Sequence, residues 1–217
     1  LKTSKNQKIT VFKPTLWEFI LRKLKRSSQI IYPKDIGQIL ILGDIKPGLK
    51  ILECGTGSGA LTIYLINFLK DTGFIYSIDE KENMIETARE NIENYFGLKI
   101  EDIKNLKLEN KNLQDIEEKN FDRVIIDLVD PWNYLTKIWE IMNDEGLFIC
   151  WLPNSIQVFN LIDEIENKFK DKFHLEIICE TLQREWQKKE KSLRPKDLMV
   201  AHTGFLLVFR KLNNSNF

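Results

Sequence analysis

The feature that most constrains the fold is a loop with glycine at three alternate positions, Gly55, Gly57 and Gly59. A short apolar run precedes this loop, and a mainly apolar stretch, Ala60–Leu69, follows it directly. The order predicts a β-strand, a tight loop and an α-helix, which is the arrangement of a nucleotide site in an α/β domain. The alternative is a glycine-rich turn in another nucleotide-binding fold.

The glycine spacing and the acid before it indicate which ligand such a loop holds. Glu53 precedes the glycines, so the pattern is E-x-G-x-G-x-G, which lacks the third spacing of the dinucleotide fingerprint G-x-G-x-x-G. A carboxylate at this position would repel a phosphate and suits a cationic ligand without phosphate. The common ligand of that kind is S-adenosylmethionine.

Bulk composition fits a globular protein with a core, since 43% of the 217 residues are hydrophobic and 29% are charged. No apolar run approaches the roughly 20 residues of a membrane span, and residues 1–6 lack a signal-peptide segment, so we expect a cytoplasmic protein. Cys54, Cys150 and Cys179 lack metal-ligand spacing, and we expect buried free thiols and no metal. The 32 basic and 32 acidic residues cancel, so a nucleic acid would have to bind a local patch.

Strand-like and helix-like runs alternate along most of the chain, which predicts a parallel sheet with helices on both faces. The predicted strands cover residues 50–53, 74–79, 105–108, 121–128 and 146–152, and the predicted helices cover 59–70, 82–96, 133–142 and 155–169. Two last strand-like runs, 174–182 and 203–209, predict an antiparallel hairpin at a sheet edge. We therefore expect an α/β, Rossmann-like fold of the class I methyltransferase plan, with a seven-stranded, mostly parallel sheet.

Upstream of the sheet, the approximate alternation of polar and apolar residues at 8–13 predicts a short strand. Thr15 predicts the N-cap of a helix over 16–25. Pro33 predicts the start of a second helix that runs to about Leu42.

Two acids are expected at the carboxyl ends of strands, where α/β folds bind their ligands. Asp79 ends the second strand and can accept both ribose hydroxyls of a nucleoside; the alternative is a surface acid. Asp127 follows three β-branched residues of the fourth strand and would lie beside the methyl donor; the alternative is a helix cap. After the third strand, Asn112 or Asn110 would contact the adenine ring, with a solvated loop as the alternative.

A carboxylate at Asp127 suits methylation of an adenine at N1. The ring nitrogen attacks the sulfonium methyl group, and positive charge then spreads to the exocyclic amino group. A carboxylate bonded to that amino group orients the base, stabilises the developing charge and can take the departing proton. The turn that follows brings Trp132 near the site, although core packing is the alternative for this ring.

Four segments resemble the tRNA adenine-58 N1-methyltransferase family, which modifies the T-loop of tRNA. They are residues 29–35 (QIIYPKD), 53–62 (ECGTGSGALT), 127–132 (DLVDPW), and Arg194-Pro195 with residues 202–206 (HTGFL). The first and last segments are not general methyltransferase features. The resemblance covers nearly the whole chain from about Val11 onward.

The resemblance implies a role for each matched position. The residues implied to bind S-adenosylmethionine are Glu53, Gly55, Gly57, Ser58, Gly59, Ala60, Leu61, Asp79, Met84, Asn112 and Asp127. Asp127 would also be the catalytic carboxylate. The residues implied on the substrate side are Tyr32, Trp132, His202 and Thr203, and a structural role is the alternative for His202.

The resemblance also implies partners and domains. It implies a tRNA substrate and a homotetramer, and basic clusters at 22–26 and 188–196 are candidate phosphate contacts, with solvated faces as the alternative. Family members usually carry a β-rich N-terminal domain, so we assign 1–26 to its end or remnant with a linking helix, and 27–217 to the catalytic domain. Asn112 stands where many members of the class carry an acid.

Two rival functions stay open. A class I methyltransferase of the isoaspartate or corrin-precursor type would share the glycine loop, but residues 127–132 and 202–205 count against it. A non-catalytic, cofactor-binding subunit would have a degraded cofactor motif, whereas this one is intact.

Overall fold

The computed structural model describes residues 3–213, which contain nine strands. In chain order they are β1 (Lys50–Cys54), β2 (Phe74–Asp79), β3 (Leu106–Asn110), β4 (Phe121–Ile126), β5 (Met142–Leu152), β6 (Phe173–Cys179), β7 (Trp186–Lys189), β8 (Ser192–Pro195) and β9 (Phe205–Lys211). The same residues contain six α-helices: α1 (Leu16–Arg22), α2 (Pro33–Leu42), α3 (Ala60–Leu69), α4 (Glu82–Phe96), α5 (Leu135–Ile141) and α6 (Ser155–Lys168).

Seven of the strands form one sheet in the order β3-β2-β1-β4-β5-β9-β6. The first five in sequence are parallel, and β9 runs antiparallel to both β5 and β6. This confirms the predicted seven-stranded sheet with its C-terminal antiparallel hairpin. The chain steps outward from β1 to β3 and then returns to place β4 beside β1, so the strand order reverses between β1 and β4. Open α/β sheets bind their ligands at this reversal.

The core has two layers, one on each face of the sheet, because alternate strand residues point to opposite faces. In β1, Ile51 packs into the layer that α2, α3 and α4 cover, whereas Leu52 packs into the layer that α5 and α6 cover. Both side chains are fully buried. The predicted helices on both faces are therefore confirmed, and the central strands read as apolar runs because both of their faces are covered.

The N-terminal prediction is wrong in part. Residues 8–13 form no strand beyond an isolated bridge at Lys8, and residues 4–15 are all exposed. A strand whose two faces both meet solvent gains little from burial. Helix α1 ends at Arg22 rather than at residue 25, but its cap is as predicted: Thr15 Oγ1 accepts from Glu18 N–H at 3.3 Å, and the Glu18 carboxylate accepts from Thr15 N–H at 3.0 Å.

Other features of the chain add to this outline. The charged segment between β6 and β9 forms a separate hairpin, β7–β8, which the sequence did not predict. Cys54 and Cys150 are buried free thiols, whereas Cys179 is half-buried. Within residues 3–213, no helix is long and apolar enough to span a membrane, and no cluster of metal-ligand side chains is found. Two domains were predicted, residues 1–26 and residues 27–217. Residues 1–2 of the first and residues 214–217 of the second lie outside the described part of the chain.

Candidate active site

A cavity of about 560 Å³ lies at the carboxyl ends of β1, β2, β4 and β5, next to the reversal of strand order. Five of the residues predicted from the sequence line it: Gly55, Gly57, Asp79, Met84 and Asp127. Four further lining residues, Gln29, Leu128, Val129 and Asp130, lie in segments that carry the family resemblance. Sequence reasoning did not predict the rest of the wall, which is formed by Ser28, Glu80, Lys81, Tyr134, Trp151, Pro153 and Gln157.

The glycine loop crosses the strand ends at very close range. Gly55 has a φ of +93°, and a Cβ at this position would lie 2.3 Å from the main-chain oxygen of Asp127. The N–H groups of Gly55 and Thr56 donate to the Ile78 carbonyl at 2.9 and 3.1 Å. The loop therefore spans β2, β1 and β4, and only glycine allows it to pass over the end of β4.

Main-chain donors fix the carboxylate of Asp79 at the edge of the cavity. Gly57 N–H donates to Oδ2 and Lys81 N–H donates to Oδ1, each at 3.0 Å. A carboxylate offers about four acceptor positions, so both oxygens keep capacity for a ligand. This is the geometry needed to accept a pair of neighbouring hydroxyl groups.

Asp127 lies across the loop from Asp79, directly after β4. Its N–H donates to the Cys54 carbonyl at 2.9 Å, which continues the β1–β4 pairing. No hydrogen bond to its carboxylate is present in the described part of the chain. Burial, followed by the negative charge of Asp79, raises the pKa of Asp127 to about 7. The carboxylate can therefore take up or release a proton near neutral pH.

Glu53 lies beneath the loop rather than in the cavity wall. Its Oε2 accepts from Thr62 Oγ1 at 2.7 Å and from Ser77 Oγ at 2.8 Å. Burial raises the pKa of Glu53 to about 7, the two hydroxyl groups oppose that rise, and the charge of Asp127 adds to it. The side chain ties β1 to α3 and β2 and so supports the base of the loop.

The last glycine of the loop and its neighbours, residues 58–61, also face the protein interior. Ser58 Oγ accepts from Ser27 N–H at 3.2 Å. Gly59 has a φ of +79° and would place a Cβ 3.2 Å from that of Ala88. Ala60 and Leu61 are buried at the start of α3. The implied contacts of these residues with a cofactor stay predictions, and their side chains do not line the cavity.

A segment upstream of α2, residues 25–29, lies across the glycine loop and α4. Asn91 holds it: Oδ1 accepts from Lys25 N–H at 2.9 Å, while Nδ2 donates to the Lys25 carbonyl at 2.8 Å and to the Ser58 carbonyl at 2.9 Å. This clamp places Ser28 and Gln29 in the cavity wall. Sequence reasoning missed Asn91, although a polar residue among the buried positions of α4 was an available signal.

Asn112 lies behind the cavity wall. Its Oδ1 accepts from Gln114 N–H at 2.8 Å, and its Nδ2 donates to Glu80 Oε1 at 2.6 Å. Tyr134 O–H donates to the same Glu80 oxygen at 3.3 Å. Asn112 therefore orients Glu80, and its implied contact with an adenine ring stays a prediction.

The residues predicted on the substrate side are not brought together in one place. Trp132 is partly buried against the core, and its implied contact with the base stays a prediction. Tyr32, at the start of α2, lines a second, smaller cavity. Thr203 is buried; its Oγ1 donates to Asp35 Oδ2 and accepts from Lys34 Nζ, both at 2.6 Å.

His202 lies between two acceptors at the rim of the first cavity. Its Nε2 donates to the Pro153 carbonyl at 2.9 Å, and its Nδ1 faces Glu180 Oε2 at 2.8 Å. The Pro153 carbonyl, followed by the Glu180 carboxylate, raises the pKa of His202. Since a ring that donates from both nitrogens is an imidazolium, the site favours the charged form.

The first cavity is strongly acidic. Among the residues that the structure describes, four carboxylates and one ammonium group line it. The carboxylates belong to Asp79, Glu80, Asp127 and Asp130, and the ammonium group belongs to Lys81. Such a wall attracts a cation and repels a phosphate. A preference for a cation over a phosphate was expected from Glu53. The cavity has that preference, but these four carboxylates supply the charge rather than Glu53.

Comparison with known proteins gives the family. Residues 8–210 match the family described as the tRNA methyltransferase complex GCD14 subunit. The tRNA (adenine(58)-N(1))-methyltransferase TrmI of Thermus thermophilus is 30% identical over 213 residues, 97% of this chain and 80% of that protein.

Two solved structures agree with this assignment. The tRNA (m1A58) methyltransferase TrmI from Aquifex aeolicus superimposes with a TM-score of 0.82 at 35% identity, over 93% of this chain and 78% of that one. A SAM-dependent O-methyltransferase from Thermotoga maritima gives a TM-score of 0.87 at 28% identity, over 100% of this chain and 78% of that one. The resemblance drawn from the four sequence segments is confirmed, and the chain belongs to the GCD14 family of tRNA methyltransferases.

Proposed function

We propose that this chain transfers a methyl group from S-adenosylmethionine to N1 of the adenine at position 58 of tRNA. The observation that carries the proposal is Asp127, a carboxylate with a pKa of about 7 that faces the acidic cavity at the end of β4. The Thermus and Aquifex relatives, which are named as methyltransferases of that nucleotide, support the choice of substrate.

The cavity fits S-adenosylmethionine as cofactor. The free acceptor capacity of Asp79 suits the ribose hydroxyls, and Met84 supplies an apolar contact for the adenine ring. The excess of carboxylates suits the sulfonium and ammonium charges. When bound, S-adenosylmethionine supplies an electrophilic methyl group.

Asp127 has three tasks in this reaction. The ionised carboxylate accepts a hydrogen bond from the exocyclic amino group of the target adenine, which holds N1 in line for attack. It stabilises the positive charge that develops on the base, and it takes the departing proton. A pKa near the working pH makes it both available as an acceptor and strong enough as a base.

The remaining expectations are proposed on the same basis. Tyr32, Trp132, His202 and Thr203 lie in the segments that carry the family resemblance, so we keep them on the tRNA side of the site. We also propose that the protein is a cytoplasmic homotetramer with a catalytic domain from residue 27 onward. Analytical ultracentrifugation of the purified chain tests the tetramer.

The test is a methyl-transfer assay with tritiated S-adenosylmethionine and two tRNA transcripts that differ only in adenine or guanine at position 58. Label is expected in the adenine transcript alone, and nuclease mapping is expected to recover it as 1-methyladenosine. Label in both transcripts, or on a ribose oxygen as an O-methyltransferase would place it, overturns the proposal.

The role of Asp127 has its own test. Asp127→Asn is expected to bind S-adenosylmethionine in a calorimetric titration yet to transfer the methyl group about 100- to 1,000-fold more slowly. Wild-type turnover in this variant rejects the mechanism while leaving the substrate assignment intact.

A further inference from the structure

A second cavity, of about 280 Å³, shares no lining residue with the first. Helix α1 supplies Trp17 and Leu21, the start of α2 supplies Tyr32, Pro33 and Lys34, and the segment around the β7–β8 hairpin supplies Gln183, Glu185, Lys196, Leu198, Met199 and Val200. Trp17 is 39% exposed and Leu198 is 90% exposed. The cavity is therefore an open, aromatic and apolar site next to the Tyr32 segment.

Within residues 3–213, the charged side chains that line this cavity are all paired with protein groups. Lys34 Nζ uses all three of its donors, on Asp35 Oδ1 at 2.8 Å, on the Thr181 carbonyl at 2.6 Å and on Thr203 Oγ1 at 2.6 Å. Lys196 forms an ion pair with Glu185. The cavity is thus built for a flat, neutral group rather than for a phosphate or another small ion.

The rims on both sides are basic. Residues 22–26, which follow Leu21, and residues 183–197 together carry ten of the 32 lysines and arginines but three of the 32 acids. In the part of the chain that the structure describes, Lys188, Lys189 and Lys191 form no ion pair. On a chain with no net charge, the two segments that adjoin the cavity in sequence carry an excess of seven positive charges, one of which, that of Lys25, is paired with Glu90 of α4.

We propose that the second cavity holds an unstacked base of the tRNA other than the methylated adenine, with phosphates on either side bound by the basic rims. This rests on the proposed function. Every base offers a flat face that stacks on aromatic side chains such as Trp17 and Tyr32, and backbone charge is met by flanking lysines and arginines. The occupant is not the target adenine, because Asp127 lines the other cavity.

The buried network around Lys34 gives the cavity a fixed floor. Lys34 and Asp35 begin α2, Thr181 follows β6, and Thr203 precedes β9, so three separate segments are tied together where Tyr32 enters the wall. A preformed site loses less entropy when it binds a base. This is a second task for the segment that distinguishes the family.

The test compares Trp17→Ala with Trp17→Phe in the methyl-transfer assay. Loss of one base-stacking contact is expected to raise the KM for tRNA roughly 5- to 100-fold, with kcat and the affinity for S-adenosylmethionine little changed. Trp17→Phe should restore most of the wild-type KM. Leu198→Ala, at an exposed position that folding does not need, should raise KM in the same direction, whereas the exposed control Phe68→Ala, on α3, should not.

Transcripts with one abasic nucleotide identify the base. One abasic position other than 58 should raise KM for the wild type and have no further effect in Trp17→Ala. A KM unchanged in both Trp17→Ala and Leu198→Ala overturns the proposal. The proposal is also overturned if, for every abasic transcript tested, the rise in KM caused by the missing base adds to the rise caused by Trp17→Ala. A KM change that sedimentation traces to lost self-association overturns it as well, and would assign the cavity to a second copy of this chain. The affinity of each variant for tRNA, measured by filter binding, does not depend on which nucleotide is methylated. The test of the second cavity therefore stays valid if the labelled position proves not to be adenine-58.

Discussion

Replacement of Asp127 by asparagine is expected to make the free protein more stable above pH 7 while it slows methyl transfer about 100- to 1,000-fold. The fold holds this carboxylate largely buried beside Asp79, which raises its pKa from 3.8 to about 7. A shift of this size corresponds to about 4 kcal/mol of unfavourable free energy for the ionised form, and partial exposure to the cavity reduces the expected gain to about 2–3 kcal/mol. An amide of the same shape carries no charge and does not bear this cost.

The expected gain depends on pH in a defined way. Below about pH 4 the Asp127 carboxyl is protonated in the folded and the unfolded wild type, so the two proteins should be equally stable. Between that pH and about 7 the unfolded chain loses its proton while the folded protein keeps it, and the wild type loses stability relative to the variant. Above about pH 7 the difference should be constant. Glu53 adds to the gain, because the charge of Asp127 helps to raise its pKa.

Urea denaturation at pH 4.5, 6, 7 and 8.5, followed by tryptophan fluorescence, measures the difference in unfolding free energy. Asp71→Asn removes an exposed carboxylate and serves as the matched control, with no pH-dependent gain expected. A difference between wild type and Asp127→Asn that is the same at every pH would show that Asp127 ionises at little cost. The assignment of Asp127 as a base poised near neutral pH would then be wrong.

Two further predictions concern the walls of the first cavity. Gly55→Ala should lower the free energy of unfolding, measured by urea denaturation, by several kcal/mol more than Gly48→Ala does. The two residues share a φ near +92°, but of the two only Gly55 would bring a Cβ against main chain, at 2.3 Å. Equal losses of stability would contradict the argument from close approach. Asn91→Asp should weaken S-adenosylmethionine binding about tenfold or more in calorimetric titration, because a carboxylate cannot donate to the two carbonyls that hold residues 25–29. Asn94→Asp, at an exposed position of the same helix, should bind normally, and normal binding by both variants would show that other contacts hold the segment.

The central sheet was predictable because its signals are local. Each parallel strand is an apolar run followed by a helix pattern, and both depend on burial that the neighbouring elements supply in the same order. The errors occur where the alternation of apolar and polar residues does not reflect burial. Residues 8–13 alternate like a strand but lie exposed, and the β7–β8 hairpin was missed because its residues are polar and charged.

The site was predictable at the strand ends and less so elsewhere. Asp79 and Asp127 face the cavity because they end or follow buried strands directly, and the carboxyl ends of parallel strands share one edge of the sheet. Glu53 was expected in the cavity, but its place in the pleat beside Ile51 directs it to the face that α3 covers. Asn91 was missed because its partners, Lys25 and Ser58, are remote in sequence.

The distribution of charge explains how a neutral chain can use a cation and a polyanion together. The first cavity holds four carboxylates and one lysine, so it favours a cation and keeps phosphates out. The segments at 22–26 and 183–197 carry the compensating positive charge, next to a second cavity whose own lysines are already paired. A nucleic-acid backbone is therefore attracted to the rims, while its uncharged bases are the parts that can enter either cavity. In the reaction proposed above, this arrangement would bring an adenine to Asp127 without drawing the phosphates with it, which a uniformly basic surface could not do.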